Sequence, residues 1–124
     1  MVDYLNRTDL LDRAKLSQLA SIVGPEKMRG IFDLIPKTIN QLTENLHVAA
    51  STDPVDLQAL AEHAHSLKGV SGNMGLEALH LLCGDLLSDL HGGRPSEAVA
   101  KVEIAKELGR RTLAEAAAQR KLLC

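Results

Sequence analysis

The sequence has 124 residues, which suits one compact domain with a buried core and is too short for two domains of ordinary size. Apolar residues make up 45% of the chain, only Tyr4 and Phe32 are aromatic, and the net charge is −2 with acidic and basic residues interspersed. This composition favours packed helices. It excludes the basic stripe and the aromatic stacking platform that are typical of nucleic-acid-binding proteins.

The N-terminus, MVDYLNRTDLL, lacks the basic, apolar and small-residue order of a secretory signal peptide. No stretch approaches the ~20 apolar residues that a membrane-spanning helix needs. The two cysteines, Cys83 and Cys124, show no CxxC spacing and no pairing pattern, which favours a reducing compartment. We therefore expect a soluble cytoplasmic protein with neither a membrane nor a nucleic acid as its partner.

The first helical pattern begins after Thr8 and Asp9, which are both good N-cap residues, and ends before Pro25. Pro25 suits the first turn of a second helix, whose apolar residues recur at spacings of three and four. Pro36 falls inside this second pattern, where it removes one backbone hydrogen bond. We predict one helix with a kink at Pro36, and the alternative is a break into two helices.

The third helical pattern begins in the stretch STDPVD. Here Thr52 or Asp53 is the predicted cap and Pro54 lies in the first turn. The pattern continues to about Gly72. This third helix therefore carries two closely spaced histidines, His63 and His65.

The fourth pattern runs over residues 76–90 and the fifth over residues 95–121, and Gly92 is the predicted left-handed cap between them. No stretch has the alternation of a β-strand. Five helical segments joined by short turns predict an all-α protein. The predicted architecture is one domain over residues 1–124, an up-and-down four-helix bundle with an additional N-terminal helix.

Helical geometry separates the two histidines of the stretch EHAHSLKGVSGNMG, residues 62–75. Successive residues of a helix rotate by about 100°, so His63 and His65 point about 160° apart and cannot bind one metal ion together. The apolar stripe opposite His65 consists of Leu60, Ala64, Leu67, Ser71 and Met74. We therefore expect His65 to face solvent and His63 to lie at the margin of the core face.

Small residues surround His65 on its face of the helix. They are Ala61, Gly69 and Gly72, with Glu62 and Lys68 at the edges. Glycine inside a helix costs roughly 0.5–1 kcal/mol relative to alanine, so Gly69 and Gly72 indicate a compensating advantage. The simplest advantage is the close approach of another molecule. For Gly72 and Asn73, the alternative is that they only end the helix.

A solvent-exposed imidazole is largely neutral and nucleophilic at pH 7, so His65 could accept a phosphoryl group. Such a group carries a charge of about −2. Lys68, at i+3, lies where its ammonium could offset that charge. The alternatives are an exposed histidine without function and a solvated lysine that pairs with Glu62 or Asn73.

The stretch AHSLKGVSGNMG resembles the AHxLKG signature of histidine-containing phosphotransfer (HPt) domains. The similarity extends loosely over nearly the whole chain, including the Phe-bearing second helix, the core residue Leu67 and the stretch GLEALHLLC. The resemblance implies that His65 is the phosphoacceptor, that Lys68 stabilises the phosphate charge and that Gly69 lets a receiver domain approach. Gly75 matches the later glycine of the family, at the turn into the fourth helix.

The resemblance also implies a function. A phosphoryl group would pass from a receiver aspartate to Nε2 of His65, and on to another receiver aspartate, in a two-component phosphorelay. The chain would be a monomeric phosphoryl carrier rather than an ATP-dependent kinase, and Mg²⁺ would be bound by the receiver, with no cofactor on this chain. The implied partners are response-regulator receiver domains, with a hybrid histidine kinase as a further candidate. Ala61, Glu62, Gly69 and Gly72 would contribute to docking.

The fourth helix departs from the family, which often has Cys-x-x-Leu-Glu where this chain reads CGDLL, residues 83–87. That departure could change the choice of partner. On the same helix Cys83 is predicted to pack in the core, while His80 and His91 are three turns apart and too distant to share a metal ion. Leu81 is either a stray exposed leucine or part of a docking surface. The alternative function is a helical adaptor or dimerisation bundle that binds signalling partners without phosphotransfer.

Overall fold

The structure, a computed structural model, describes residues 3–6 and 9–124, and every regular element in that part is helical. A 3₁₀ turn at Tyr4–Asn6 precedes the α-helices, which are α1 (Arg13–Val23), α2 (Pro25–Ser51), α3 (Leu57–Asn73), α4 (Glu77–His91) and α5 (Pro95–Leu123). The predicted all-α class is therefore confirmed for the described residues. None of the helices in these residues is both long enough and apolar enough to cross a membrane.

Helices α2 to α5 form a four-helix bundle. Helix α3 packs between α2 and α4, and α5 closes the bundle by packing on α2 and α4. Short turns join consecutive helices, which therefore run antiparallel. Helix α5 also runs antiparallel to α2, because Lys106 lies beside His47 while Arg120, further along α5, pairs with Asp33 near the start of α2. Helix α1 lies outside the bundle against α2, which confirms the predicted additional N-terminal helix.

The core of the bundle consists of apolar side chains that recur at helical spacing on the inner face of each helix. The largest fully buried ones are Leu16, Met28, Ile35, Ile39, Leu46, Leu60, Leu67, Leu76, Leu79, Leu82, Leu86 and Leu108. Burying one such side chain contributes roughly 1.5–3 kcal/mol, so this cluster holds the helices together. In α3 the buried residues are Leu60, Ala64, Leu67 and Ser71, four of the five residues predicted for the core stripe. The fifth, Met74, is half-buried.

Helix α2 continues through Pro36 as one helix. The Pro36 side chain is exposed, so the helix tolerates its missing N–H on the solvent side. The buried residues Phe32, Ile35 and Ile39 keep helical spacing on both sides of the proline. The predicted continuation is confirmed and the alternative of two separate helices is wrong, while the kink at Pro36 stays a prediction.

The first helix begins later than predicted. Its N-cap is Asp12, whose carboxylate accepts a hydrogen bond from the backbone N–H of Lys15 at 3.0 Å. Asp9 precedes the helix, so its predicted capping role is wrong, and Thr8 lies outside the described residues. The reason is that the residues just before Asp12 pair with a distant turn instead of continuing the helix.

The third helix also has a different cap. Asp56 caps α3 by accepting a hydrogen bond from Ala59 N at 3.0 Å. Thr52 instead ends α2, and its hydroxyl accepts a hydrogen bond from Asp56 N at 2.9 Å. Asp56 lies closer than Thr52 or Asp53 to the free N–H groups at the start of α3. The predicted cap at Thr52 or Asp53 is therefore wrong, and so is the predicted place of Pro54 in the first turn.

The turn between α4 and α5 differs slightly from the prediction. Helix α4 extends to His91, one residue beyond the predicted end. Gly92 consequently has a φ of −84°, and Gly93 adopts the left-handed conformation with a φ of 73°. The predicted left-handed cap is therefore displaced by one residue.

The N-terminal segment is tied to the turn between α3 and α4. Asp12 N donates a hydrogen bond to Gly75 O at 2.7 Å, and Ala78 N donates one to Leu10 O at 3.3 Å. Gly75 is left-handed with a φ of 71°, and a Cβ at this position would lie 3.3 Å from Asp12 O. Gly75 therefore lies at the turn into α4, as predicted, and allows a close contact that fixes the end of α3.

We predict that Gly75→Ala lowers the free energy of unfolding by about 2 kcal/mol, because the left-handed conformation alone costs a residue with a Cβ about 1–2 kcal/mol. Urea unfolding followed by circular dichroism measures the loss. Gly93→Ala is the matched control, since Gly93 has a similar φ but, in the described part of the chain, no atom within 4 Å of an added Cβ. We expect a smaller loss for Gly93→Ala, and equal losses would contradict a contribution from the Asp12 contact.

Candidate functional site

His65 lies in the middle of α3 with its side chain exposed to solvent. Within residues 3–6 and 9–124, no hydrogen bond or ion pair engages its imidazole. The opposite face of the helix is buried, with Leu60 and Leu67 completely inaccessible. The His65 ring is therefore available to react with an approaching molecule.

His63 is half-buried, in contrast to the exposed His65. The two rings point in different directions on α3, as their spacing requires. Among the described residues, no group of three or more His, Cys, Asp or Glu side chains could hold a metal ion. The two histidines therefore do not form one site.

The Lys68 side chain lies along the seam between α3 and α4. A Cβ added at Gly84 would lie 3.8 Å from Lys68 Cε, so the lysine stem passes directly over the glycine. Glu62, which could have paired with Lys68, accepts a hydrogen bond from Gln58 at 3.4 Å instead. In the described part of the chain no carboxylate pairs with Lys68, which leaves its positive charge available beside His65.

Cys83 lies beneath this seam and is fully buried. Burial raises the pKa of the Cys83 thiol to about 12, and the nearby Lys68 ammonium opposes this rise only in part. The thiol therefore stays protonated and is a poor nucleophile at neutral pH. The prediction that Cys83 packs in the core is confirmed.

The glycines near His65 have different surroundings. An added Cβ at Gly69 would meet no atom of the described residues within 4 Å, and this position opens to solvent. At Gly72 an added Cβ would lie 2.8 Å from His80 Nδ1, so this glycine makes room for the His80 ring. Internal packing therefore accounts for Gly72, and its predicted docking role stays a prediction. Helix α3 ends at Asn73, so the structure agrees with the alternative that Gly72 and Asn73 end the helix.

The remaining predicted docking residues lie on the same helix face. His65, Glu62 and Gly69 are exposed, whereas Ala61, Lys68 and Gly72 are half-buried. Leu81 on α4 is also exposed, with 39% of its surface accessible. The structure thus gives His65 an open surface on one side and the edge of α4 on the other.

Two contacts of the site were not predicted from the sequence. His80 Nδ1 lies 2.9 Å from Lys68 O, and because a carbonyl only accepts, the ring donates from Nδ1–H. Lys15 of α1 donates a hydrogen bond from Nζ to Gly72 O at 2.6 Å. Both contacts join residues that are distant in sequence. The sequence signal for the first contact was Gly72, a glycine on the side of α3 that faces the next helix. A glycine there indicates that another group approaches closely, but it does not show that this group is His80.

Comparison with known proteins relates the chain to a family model and to solved structures. The family model described as Hpt domain matches residues 29–120, which include all of α3 and α4. The solved structure of histidine-containing phosphotransfer protein B (HptB) from Pseudomonas aeruginosa PAO1 is similar, with 25% sequence identity and a TM-score of 0.82. That similarity covers 93% of this chain and 97% of the HptB chain. No curated protein matches the chain.

We predict that iodoacetamide at pH 8 modifies Cys124 and leaves Cys83 unmodified in the native protein. Cys124 is exposed, whereas Cys83 is buried with a pKa raised to about 12 and forms little thiolate at that pH. Mass spectrometry of the digested protein identifies the modified residue. The control is the protein unfolded in urea, in which both cysteines should react. Equal labelling of both in the native state would contradict the buried, protonated thiol.

Proposed function

Because this chain belongs to the Hpt domain family and therefore acts in histidine phosphotransfer within a phosphorelay, we propose that His65 is the residue that carries the phosphoryl group. The observation that carries this proposal is that the His65 imidazole is exposed and, among the residues that the structure describes, has no partner, while no described carboxylate pairs with Lys68 beside it. His63 is half-buried and has no lysine at i+3, so it lacks both features.

The transfer step needs a phosphorylated aspartate on a receiver domain. The Nε2 lone pair of neutral His65 attacks phosphorus and forms an N–P bond, while the P–O bond to the aspartate breaks and the carboxylate leaves with the electron pair. The imidazolium that results releases its Nδ1 proton to solvent. The reverse sequence passes the group to the next receiver aspartate. We propose that Mg²⁺ in this reaction belongs to the receiver and that this chain contributes no cofactor.

Lys68 acts on charge in this proposal. The Cβ atoms of residues at i and i+3 are about 5–6 Å apart on a helix, which brings the flexible lysine within reach of a phosphoryl group on His65. The phosphoryl group carries a charge of about −2, and phosphoryl transfer depends mainly on positioning and electrostatic stabilisation. Lys68 is suited to this role, since no ion pair with a described residue has to break.

Membership of the family implies interaction with receiver domains. We propose that they dock on the face of α3 around His65, where Glu62 and Gly69 are exposed and Ala61 and Gly72 are half-buried. The open space at Gly69 supports close approach of a receiver surface. A relay must release each partner, so we expect a transient interface that buries less than ~1,200 Å². We further propose that the protein is monomeric and cytoplasmic and that residues 1–124 form one domain. A hybrid histidine kinase, through the receiver domain that the kinase carries, is a further proposed source of phosphoryl groups.

We predict that incubation with a phosphorylated receiver labels the wild-type protein with an acid-labile, alkali-stable phosphoryl group, and that His65→Gln abolishes the label. His63→Gln is the matched control, since it makes the same substitution two residues away and should retain the label. Circular dichroism checks that both variants fold. Equal labelling of His65→Gln and the wild type would refute the assignment, and an adaptor without phosphotransfer would show no label in any variant.

We predict that Gly69→Gln weakens receiver binding about tenfold while it stabilises the fold by roughly 0.5–1 kcal/mol, because glutamine favours the helix but fills the docking space. Isothermal titration calorimetry with the receiver and urea unfolding measure the two effects. Gly30→Gln is the matched control, since Gly30 is also exposed inside a helix and no atom of residues 3–6 and 9–124 lies within 4 Å of an added Cβ. Gly30→Gln should stabilise the fold without changing receiver binding, and unchanged binding by Gly69→Gln would exclude Gly69 from the interface.

A further inference from the structure

Helix α4 contacts Lys68 at two points that are one helical turn apart. At the first point, His80 donates a hydrogen bond from Nδ1–H to Lys68 O over 2.9 Å. At the second point, Gly84 lies beneath the lysine stem, where an added Cβ would be 3.8 Å from Cε. The backbone and the side chain of Lys68 are therefore both placed by α4.

The position of the His80 ring depends on Gly72. A Cβ at Gly72 would come within 2.8 Å of His80 Nδ1, which real side chains do not tolerate without a shift. The bond from His80 is additional to the helical bond that Lys68 O already accepts within α3. Helix formation therefore does not require the His80 contact, and the removal of its Nδ1–H leaves no backbone group without a partner.

We propose that His80 is a positioning residue for phosphotransfer, which acts by holding Lys68 in the orientation that serves a phosphoryl group on His65. The inference rests on the function proposed above. A lysine on the surface normally samples many rotamers, and only some of them bring the ammonium to the phosphate. The His80 bond fixes the Lys68 backbone against α4, and the aliphatic part of the Lys68 side chain lies over Gly84. The Lys68 ammonium is therefore positioned before the receiver domain binds.

The alternative is that His80 only fills space between α3 and α4. Its ring is half-buried, whereas the neighbouring α4 residues Ala78 and Leu79 are completely buried and supply apolar packing. A space-filling role requires the shape of the ring, whereas a positioning role requires the Nδ1–H donor. Phenylalanine keeps the ring without the donor, and asparagine keeps a donor near the same place without the ring.

The test measures phosphoryl transfer from a phosphorylated receiver to the 124-residue chain over a range of receiver concentrations. We expect His80→Phe to reduce the rate at saturating receiver about three- to tenfold, which corresponds to the loss of one hydrogen bond. The half-saturating receiver concentration should change little, because His80 does not act through docking. His80→Asn should restore most of the rate. Gly72→Ala, which displaces the ring without changing His80, should slow transfer as His80→Phe does.

A double-mutant cycle tests whether His80 acts through Lys68. We expect Lys68→Ala to slow transfer, and His80→Phe to cause no further loss in the Lys68→Ala background. Multiplicative losses, a wild-type rate for His80→Phe, or His80→Asn as slow as His80→Phe would each overturn the inference.

Failure of this inference is distinguishable from failure of the proposed function. Label on wild-type His65 together with an unaffected His80→Phe variant overturns only the role of His80. Label that persists in His65→Gln overturns the proposed function and this inference with it.

Discussion

Burial of one face of α3 in the bundle core fixes the direction of every other residue on that helix. Leu60, Ala64 and Leu67 are inaccessible to solvent, and their packing prevents the helix from rotating about its axis. His65 must therefore point outwards, and Lys68 must follow on the side of α4. The chemistry of the exposed face thus depends on apolar contacts that never meet the partner, because a rotation of α3 would bury His65 and expose leucines.

The electrostatic character of the site also follows from packing. Lys68 lies above the buried Cys83 thiol, whose raised pKa keeps it neutral, and above Gly84, which has no side chain. No anionic group of the described residues neutralises the lysine here. A half-buried cation without a partner attracts an anion more strongly than a fully hydrated one, since less water screens it. The positive charge of Lys68 can therefore attract an anionic group before the protein is modified.

Local features of the sequence predicted most of the fold. The inner face of α3 and the continuity of α2 through Pro36 follow from residue spacing within a single helix, and both predictions are confirmed. The caps of α1 and α3 were predicted wrongly, because several residues near each helix start can cap and the choice depends on contacts across the fold. Asp12 is selected by its bond to Gly75, which is distant in sequence. The contact of His80 with Lys68 has the same origin, since no pattern within one helix specifies which residue of the next helix will face it.

Helix α1 lies before residues 29–120, the part of the chain that matches the family, yet it completes the structure around the end of α3. Lys15 binds Gly72 O, the N-cap residue Asp12 binds Gly75 O, and Leu16, which is only 1% exposed, lies against Gly75. A fragment limited to the matched residues would expose these two carbonyl groups and an apolar surface at the turn. A fragment that keeps these contacts must therefore include Asp12, so the residues that match the family model are fewer than those that hold the end of α3 in place.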